Sequence, residues 1–229
     1  MLFNNTLHKL GFSPIEANVF IVLCKHGSLT GYEVAKLTGI SRSNVYAALY
    51  SLQDKGKCYA SEGETTKYVA ISKEELLLST EREFHTTLEE IKEYYPVPLE
   101  ANEPYITIKG YDNVLTKLKN AILLCHSHLY LLCASDVVAL LQDELKTIST
   151  EKKVTILCDK AIKLPSSITL YHRLKSPEGF HMIIDTEAVL TGDLNASSPQ
   201  CLFSKDLSLV RLMRESFITE LDMIQLNKR

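Results

Sequence analysis

The sequence predicts an α+β chain of more than one domain. Three observations lead there. Three capped helical segments and a hairpin pattern fill the first 72 residues; one long helix with a narrow apolar stripe follows; strand and helix patterns alternate from residue 105 onward. The 229 residues suffice for one large domain or two modest ones. A hydrophobic content of 45% with 23% charged residues is ordinary for a chain that builds a core. No run of about 18 apolar residues occurs, so no membrane-spanning helix is expected. The opening MLFNNTLHKLGF lacks the basic segment, apolar stretch and small-residue cleavage site of a signal peptide, and a cytoplasmic chain is expected.

The helix starts can be read in order. Ser13-Pro14-Ile15-Glu16 opens the first, since Ser13 can accept from an orphan amide, Pro14 suits the first helical position and Glu16 can reach back. Ile15, Val19 and Leu23 then share a face, and Gly27 ends the segment. Thr30-Gly31-Tyr32-Glu33 repeats the capping spacing and opens a short helix through Leu37, with Gly39 in a tight turn after it. Ser41-Arg42-Ser43-Asn44 opens the third helix, which buries Val45, Leu49 and Leu52, and Gly56 closes it in the left-handed conformation. Residues 57–61 and 66–71 flank Glu62-Gly63-Glu64 and read as a β-hairpin with a polar tip. Ser72 to Glu75 is another capping sequence and launches a helix to about Tyr95. Leu77, Phe84, Leu88, Ile91 and Tyr95 recur on it at spacings of seven, four, three and four, the pattern of a coiled-coil seam interrupted at Glu81.

Pro96, Pro98 and Pro104 place a linker at 96–104. Beyond it, strands are expected at Tyr105–Lys109, Leu129–Cys133, Val154–Cys158, Ile168–His172, Met182–Ile184 and Ala188–Leu190. Helices are expected at Asp112–Cys125, Val137–Ile148 and Ser208–Leu226, with Asp136 as an N-cap. The alternation argues for an α/β domain with a partly parallel sheet. The chain thus divides into 1–72, a helix at 73–95, the linker, and a rear domain at 105–229.

Helix, turn, helix, hairpin is the layout of a winged helix-turn-helix. A single helix fits the major groove of B-form DNA, and its N-terminal side chains reach base edges. Ser41, Arg42, Ser43 and Asn44 occupy that turn, where Arg42 suits a bidentate contact to guanine and Asn44 one to adenine. Gly31 and Tyr32 are candidate phosphate contacts at the preceding helix start, and Lys67 is placed to reach the backbone or minor groove. Tyr46 is a further candidate, although Tyr46 and Tyr50 at helical spacing suit packing under the wing equally well. The net charge of −3 hides a front of +2, seven Lys/Arg against five Asp/Glu in residues 1–72, ahead of a rear of −5. The same helices and hairpin also suit a protein-interaction module.

The ordered run from Leu10-Gly11-Phe12-Ser13-Pro14 through Gly31-Tyr32-Glu33-Val34-Ala35, Gly39-Ile40-Ser41-Arg42-Ser43-Asn44-Val45-Tyr46, Leu52-Gln53-Asp54-Lys55-Gly56-Lys57 and Lys67-Tyr68 resembles the TrmB family of transcriptional regulators. The resemblance spans about the first 75 residues. It implies a homodimer on a pseudo-palindromic operator in double-stranded DNA, with an effector domain behind the reader. Ser41 to Asn44 fall at the start of the family's recognition helix. The better-known members carry an additional sugar-binding region in longer chains, so a sugar effector is not carried over, and the rear domain is expected either to dimerise or to sense an unidentified small molecule.

The rear domain resembles, more weakly, a phospholipase D-like domain through Phe180-His181-Met182-Ile183-Ile184-Asp185 and on to Gly192. Those enzymes use His-x-Lys followed by Asp. Aligning Asp185 with that Asp puts Glu178 at the His and Phe180 at the Lys; starting from His181 puts Ile183 at the Lys and Ala188 at the Asp. Neither register is complete, and no catalysis is expected. A phosphodiesterase or nuclease with an attached DNA reader is the rival reading.

His126-x-His128 leads into a strand, but a metal would need further ligands such as His172 or His181, and no spacing demands one. No cofactor or metal is expected. The cysteines, Cys24, Cys58, Cys125, Cys133, Cys158 and Cys201, form no Cys-x-x-Cys pair and read as reduced core residues, with redox sensing as the alternative. The 73–95 helix either packs on its own rear domain or pairs with its equivalent in a second chain, and dimer pairing fits half-site recognition.

Overall fold

A computed structural model describes residues 2–61, 63–97 and 105–226. The chain forms two compact units, Met1–Pro98 and Leu99–Arg229.

The first unit is a winged helix-turn-helix. Its elements are α1 (Leu2–Lys9), α2 (Pro14–His26), β1 (Leu29–Thr30), α3 (Gly31–Thr38), α4 (Arg42–Asp54), β2 (Cys58–Ser61), β3 (Lys67–Ala70) and α5 (Lys73–Tyr94). α2, α3 and α5 each begin with a complete capping box, Ser13 with Glu16, Thr30 with Glu33 and Ser72 with Glu75. Gly39 ends α3 in the left-handed conformation at φ 70°. Leu7, Val19, Phe20, Leu23, Val34, Val45, Leu49, Leu52, Tyr68 and Ile71 close over one core. Ile15 is exposed; Ala17 and Phe20 take its place inward.

Glu16 does more than cap α2. Its carboxylate accepts from Ser51 Oγ at 2.5 Å and Lys55 Nζ at 2.7 Å, which ties α2 to the end of α4. Burial of Glu16 opposes its charge, but Lys55, Ser51 and the Ser13 amide outweigh that and hold the carboxyl below its ordinary value. Two elements escape the sequence pattern, α1 and the two-residue β1. β1 joins the wing, so that the small sheet runs β1-β3-β2, all antiparallel.

The second unit contains β4 (Tyr105–Lys109), α6 (Tyr111–Leu123), β5 (His128–Cys133), α7 (Ser135–Leu140), α8 (Gln142–Ile148), β6 (Lys153–Cys158), β7 (Ile168–His172), β8 (Phe180–Ile184), β9 (Ala188–Asp193), β10 (Gln200–Ser204) and α9 (Leu207–Leu226). Among the described residues the sheet order is β4-β10-β9-β8-β5-β6-β7. Only β5-β6 and β6-β7 are parallel there. Val114, Leu118, Val138 and Leu145 cover one face of the sheet, and Val210 and Phe217 of α9 cover the other. The expected helix at Val137–Ile148 breaks into α7 and α8 at Leu141, and β10 was missing from the strand pattern. Asp136 is not the N-cap. Ala134 holds that position, Asp136 Oδ1 accepts from the Val137 amide, and Asp159 takes the Ser135 amide at 2.8 Å. Of the linker reading at 96–104, Pro96 and Val97 have no regular structure, and the remainder lies outside the described residues.

Asp185 organises the β8–β9 turn. It and Thr186 are left-handed at φ 53° and 57°. The Asp185 carboxylate accepts from the amides of His126, Ser127 and His128 at 2.9, 2.7 and 3.1 Å, and from Ser127 Oγ at 2.8 Å. Burial disfavours the charge, yet these donors prevail and hold the carboxyl far below the usual carboxylate range. Asp185→Asn keeps a side chain tolerant of left-handed backbone while removing the charge. The expected loss is about 1.5–3 kcal/mol of stability at neutral pH, read by urea denaturation. A depressed native value means that the contribution is full above the unfolded value of about 3.9 and is lost as pH falls through the native one. The gap between wild type and variant therefore narrows below about pH 4.

Candidate nucleic-acid interface

α3 and α4 present their N-terminal turns on one surface of the first unit. Ser41 occupies the N-cap position of α4 without a side-chain cap hydrogen bond, and its Oγ lies 3.3 Å from Ser43 Oγ instead. The first amides of α4 thus have no side-chain cap among the described residues, unlike those of α2, α3 and α5. Ser41, Arg42, Ser43 and Asn44 are all exposed.

The Arg42 guanidinium lies 4.4 Å from the ring centroid of Tyr32, linking the starts of α4 and α3 by a cation–π contact. Tyr32 remains half exposed. A Cβ on Gly31 would lie 2.5 Å from the Tyr46 ring, so glycine is what lets that ring cross the start of α3. Tyr46 and Tyr50 stand 6.4 Å apart between ring centroids, and both keep exposed surface. Burial pushes the Tyr68 phenol upward, and its neighbours Tyr50 and Tyr46 add to the shift. Tyr46 therefore packs between α3 and the wing and keeps part of its ring exposed.

Lys67 opens β3 directly opposite Thr30 in the register of β1 and β3. Hydrogen bonds from Thr30 hold the Glu33 carboxyl below its ordinary value, and the Lys67 charge contributes. The wing cation thus stands near the start of α3. Gly31, Tyr32, Ser41 to Asn44, Tyr46 and Lys67 belong to neighbouring elements joined by these contacts. Lys36 was missing from the sequence reading. It is exposed and sits one helical turn after Tyr32, and the i, i+4 spacing was the available signal.

α5 leaves this unit from the base of the wing. Lys57 is nearly buried, and its ammonium donates to Glu83 Oε1 at 2.6 Å and Ser79 Oγ at 3.1 Å. Leu76 packs on the reader core, and Tyr59 donates to Glu75. No residue of α5 is buried, and Leu77, Phe84, Leu88, Ile91 and Tyr95 are each more than half exposed. Tyr95 follows the last helical residue as its C-cap.

In the second unit, neither catalytic register finds a cation. Phe180 is fully buried, Asp185 is held in its turn, and Ile183 and Ala188 are core residues. His181 is half-buried and its Nδ1 lies 2.8 Å from Thr191 Oγ1. It lines a cleft of about 530 Å³ between β8, α9 and the β7–β8 loop, together with Arg173, Phe217 and Glu220. Burial lowers the His181 imidazole below its ordinary value; Glu220 opposes this and Arg173 adds to it. Among the described residues, no three His, Cys, Asp or Glu side chains cluster to hold a metal, and His126, His128 and His172 do not converge on one. Five of the cysteines are buried and Cys24 is exposed. Burial pushes the Cys58 thiol up to about 11, the reverse of what redox sensing needs.

Residues 7–74 match the family described as sugar-specific transcriptional regulator TrmB. The matched stretch lies within the first unit and ends at the start of α5, so the Tyr59–Glu75 and Lys57–Glu83 contacts reach beyond it. The chain is 33% identical over 121 residues to the uncharacterized protein YrhO of Bacillus subtilis (strain 168). That match covers 51% of this chain and 44% of YrhO, less than half of the relative. Among solved structures the chain is similar to TrmBL2, an archaeal chromatin protein described as showing a novel mode of DNA binding. The two share 21% identity over 92% of this chain and 93% of that one, with a TM-score of 0.47. It is also similar to Nuc of Salmonella typhimurium, a phospholipase D family member, at 12% identity over 52% of this chain and 95% of that one, with a TM-score of 0.38. Among the described residues no helix is long and apolar enough to cross a membrane.

Proposed function

We propose that this chain is a cytoplasmic transcriptional regulator that binds double-stranded DNA sequence-specifically, as a homodimer on a pseudo-palindromic operator. The observation that carries the reading is the start of α4. Four exposed polar residues, Ser41 to Asn44, stand around uncapped helix amides, inside a domain that matches a family of transcriptional regulators. Amides and helix dipole attract phosphate, while Arg42 and Asn44 carry the donor sets that read guanine and adenine. Tyr32 holds Arg42 in place before DNA arrives, and Gly31, Tyr46 and Lys67 complete the face.

The exposure of Leu77, Phe84, Leu88, Ile91 and Tyr95 supports homodimer pairing through them. An isolated helix with no packed face is marginal in water. Covering each side chain contributes roughly 1.5–3 kcal/mol before entropy costs. The Lys57–Glu83 pair then transmits the geometry of the paired helices to the readers. The rear unit modulates that geometry by binding a small molecule, which shifts the population of reader spacings. It acts without catalysis, because no lysine stands at either phospholipase D register. Turnover of bis-p-nitrophenyl phosphate that vanishes in His181→Ala would overturn that last point.

Light scattering at micromolar concentration is expected to give twice the chain mass. Phe84→Glu with Leu88→Glu, which places carboxylates in the seam, is expected to give the single-chain mass. A monomeric wild type would contradict the pairing.

Affinity for duplex DNA should fall linearly with salt on logarithmic axes, as phosphate contacts require and a protein-interaction adaptor would not show. Arg42→Ala is expected to cost about 1–3 kcal/mol on a selected site and less on random DNA. Equal loss on both would make Arg42 a phosphate contact.

A further inference from the structure

The cleft beside His181 has features that the DNA reading does not use. One wall is apolar, formed by Leu132, Ile183, Met213 and Phe217. The other carries an arginine that is already oriented. Arg173 Nε lies 2.8 Å from Glu220 Oε2 in an ion pair, and both side chains are about 28–29% exposed. The guanidinium also carries donors on its two terminal amino groups. A planar fork of that kind matches a carboxylate in two parallel hydrogen bonds. Holding it in place before binding removes part of the ordering cost.

We propose that this cleft binds a small amphipathic carboxylate, with the acid on Arg173 and the apolar body along Met213 and Phe217. Lys175 adds a second cation at the cleft, and His181, fixed through Nδ1 by Thr191, offers its Nε2 to the ligand. The charges on the page limit the class. Arg173 and Lys175 stand beside Glu178 and Glu220, so a di- or triphosphate would bring several unpaired charges against two carboxylates, and a single carboxylate brings the least. A cleft of about 530 Å³ suits a molecule of metabolite size. α9 and the β7–β8 loop form two of its walls, so occupancy bears on the packing of α9 against the sheet.

The proposal deepens the reading of the rear unit as a sensor and rests on that reading only for its regulatory meaning. Calorimetry on the full-length, DNA-free protein tests the site itself, with octanoate as probe and octylamine and inorganic phosphate beside it. Saturable binding of octanoate, and of neither other probe, is expected. Arg173→Gln should weaken it by about tenfold or more. Ser216→Trp, which fills the cleft from an exposed position on α9, should abolish it without changing the thermal melt. No binding of octanoate, preference for octylamine or phosphate, or binding indifferent to both substitutions would overturn the site. The affinity of the same protein for duplex DNA, with and without octanoate, reads the regulatory step separately. Binding without any change there would retain the site and overturn the sensor.

Discussion

A single buried ammonium decides how the long helix leaves the reader. Lys57 lies between the end of α4 and the wing, where a charge without a partner would be costly. Glu83 and Ser79 supply its partners from α5. Its own backbone joins the same junction, since the Lys57 amide donates to Leu52 and its carbonyl accepts from Ile71. α4, the wing and α5 therefore meet at one residue. A change in the direction of α5 must either carry the reader with it or strip the ammonium of its partners. That is the physical reason why a helix with no buried residue is still tied to the winged-helix core.

The first unit was largely readable in the sequence because its signals are local. Capping boxes at Ser13, Thr30 and Ser72 and glycines at 39 and 56 mark element ends by chemistry within four residues. The rear unit was less readable because its order depends on contacts distant in sequence. β10 pairs with both β4 and β9, and nothing in Gln200–Ser204 alone announces this. The small β1 exists only because Leu29 and Thr30 lie opposite Tyr68 and Lys67. Asp136 had the residue type of an N-cap, but Asp159, 23 positions on in the numbering, takes the amide beside it. The candidate DNA contacts could be named one by one in the sequence, whereas the Arg42–Tyr32 stack and the place of Tyr46 over Gly31 needed three dimensions. The cleft was not readable at all, since its residues come from β5, β8, α9 and a loop.

The second unit divides its polar groups between a turn and a cleft. The Asp185 carboxylate takes the amides of residues 126–128 and holds the turn. Phe180 lies in the core. The polar groups that face outward are His181, Arg173 and Glu220, on the opposite side of the sheet from the Phe180 side chain.

The central claim is that two copies of one reader, set apart by paired α5 helices, recognise a symmetric DNA site. The most direct measurement is to select random-sequence duplexes on the purified full-length protein and sequence those retained. Enrichment of a site with two-fold symmetry is expected, its half-sites about one or more helical turns apart. Retention of one unrepeated half-site, or of duplexes with no shared sequence, would contradict it.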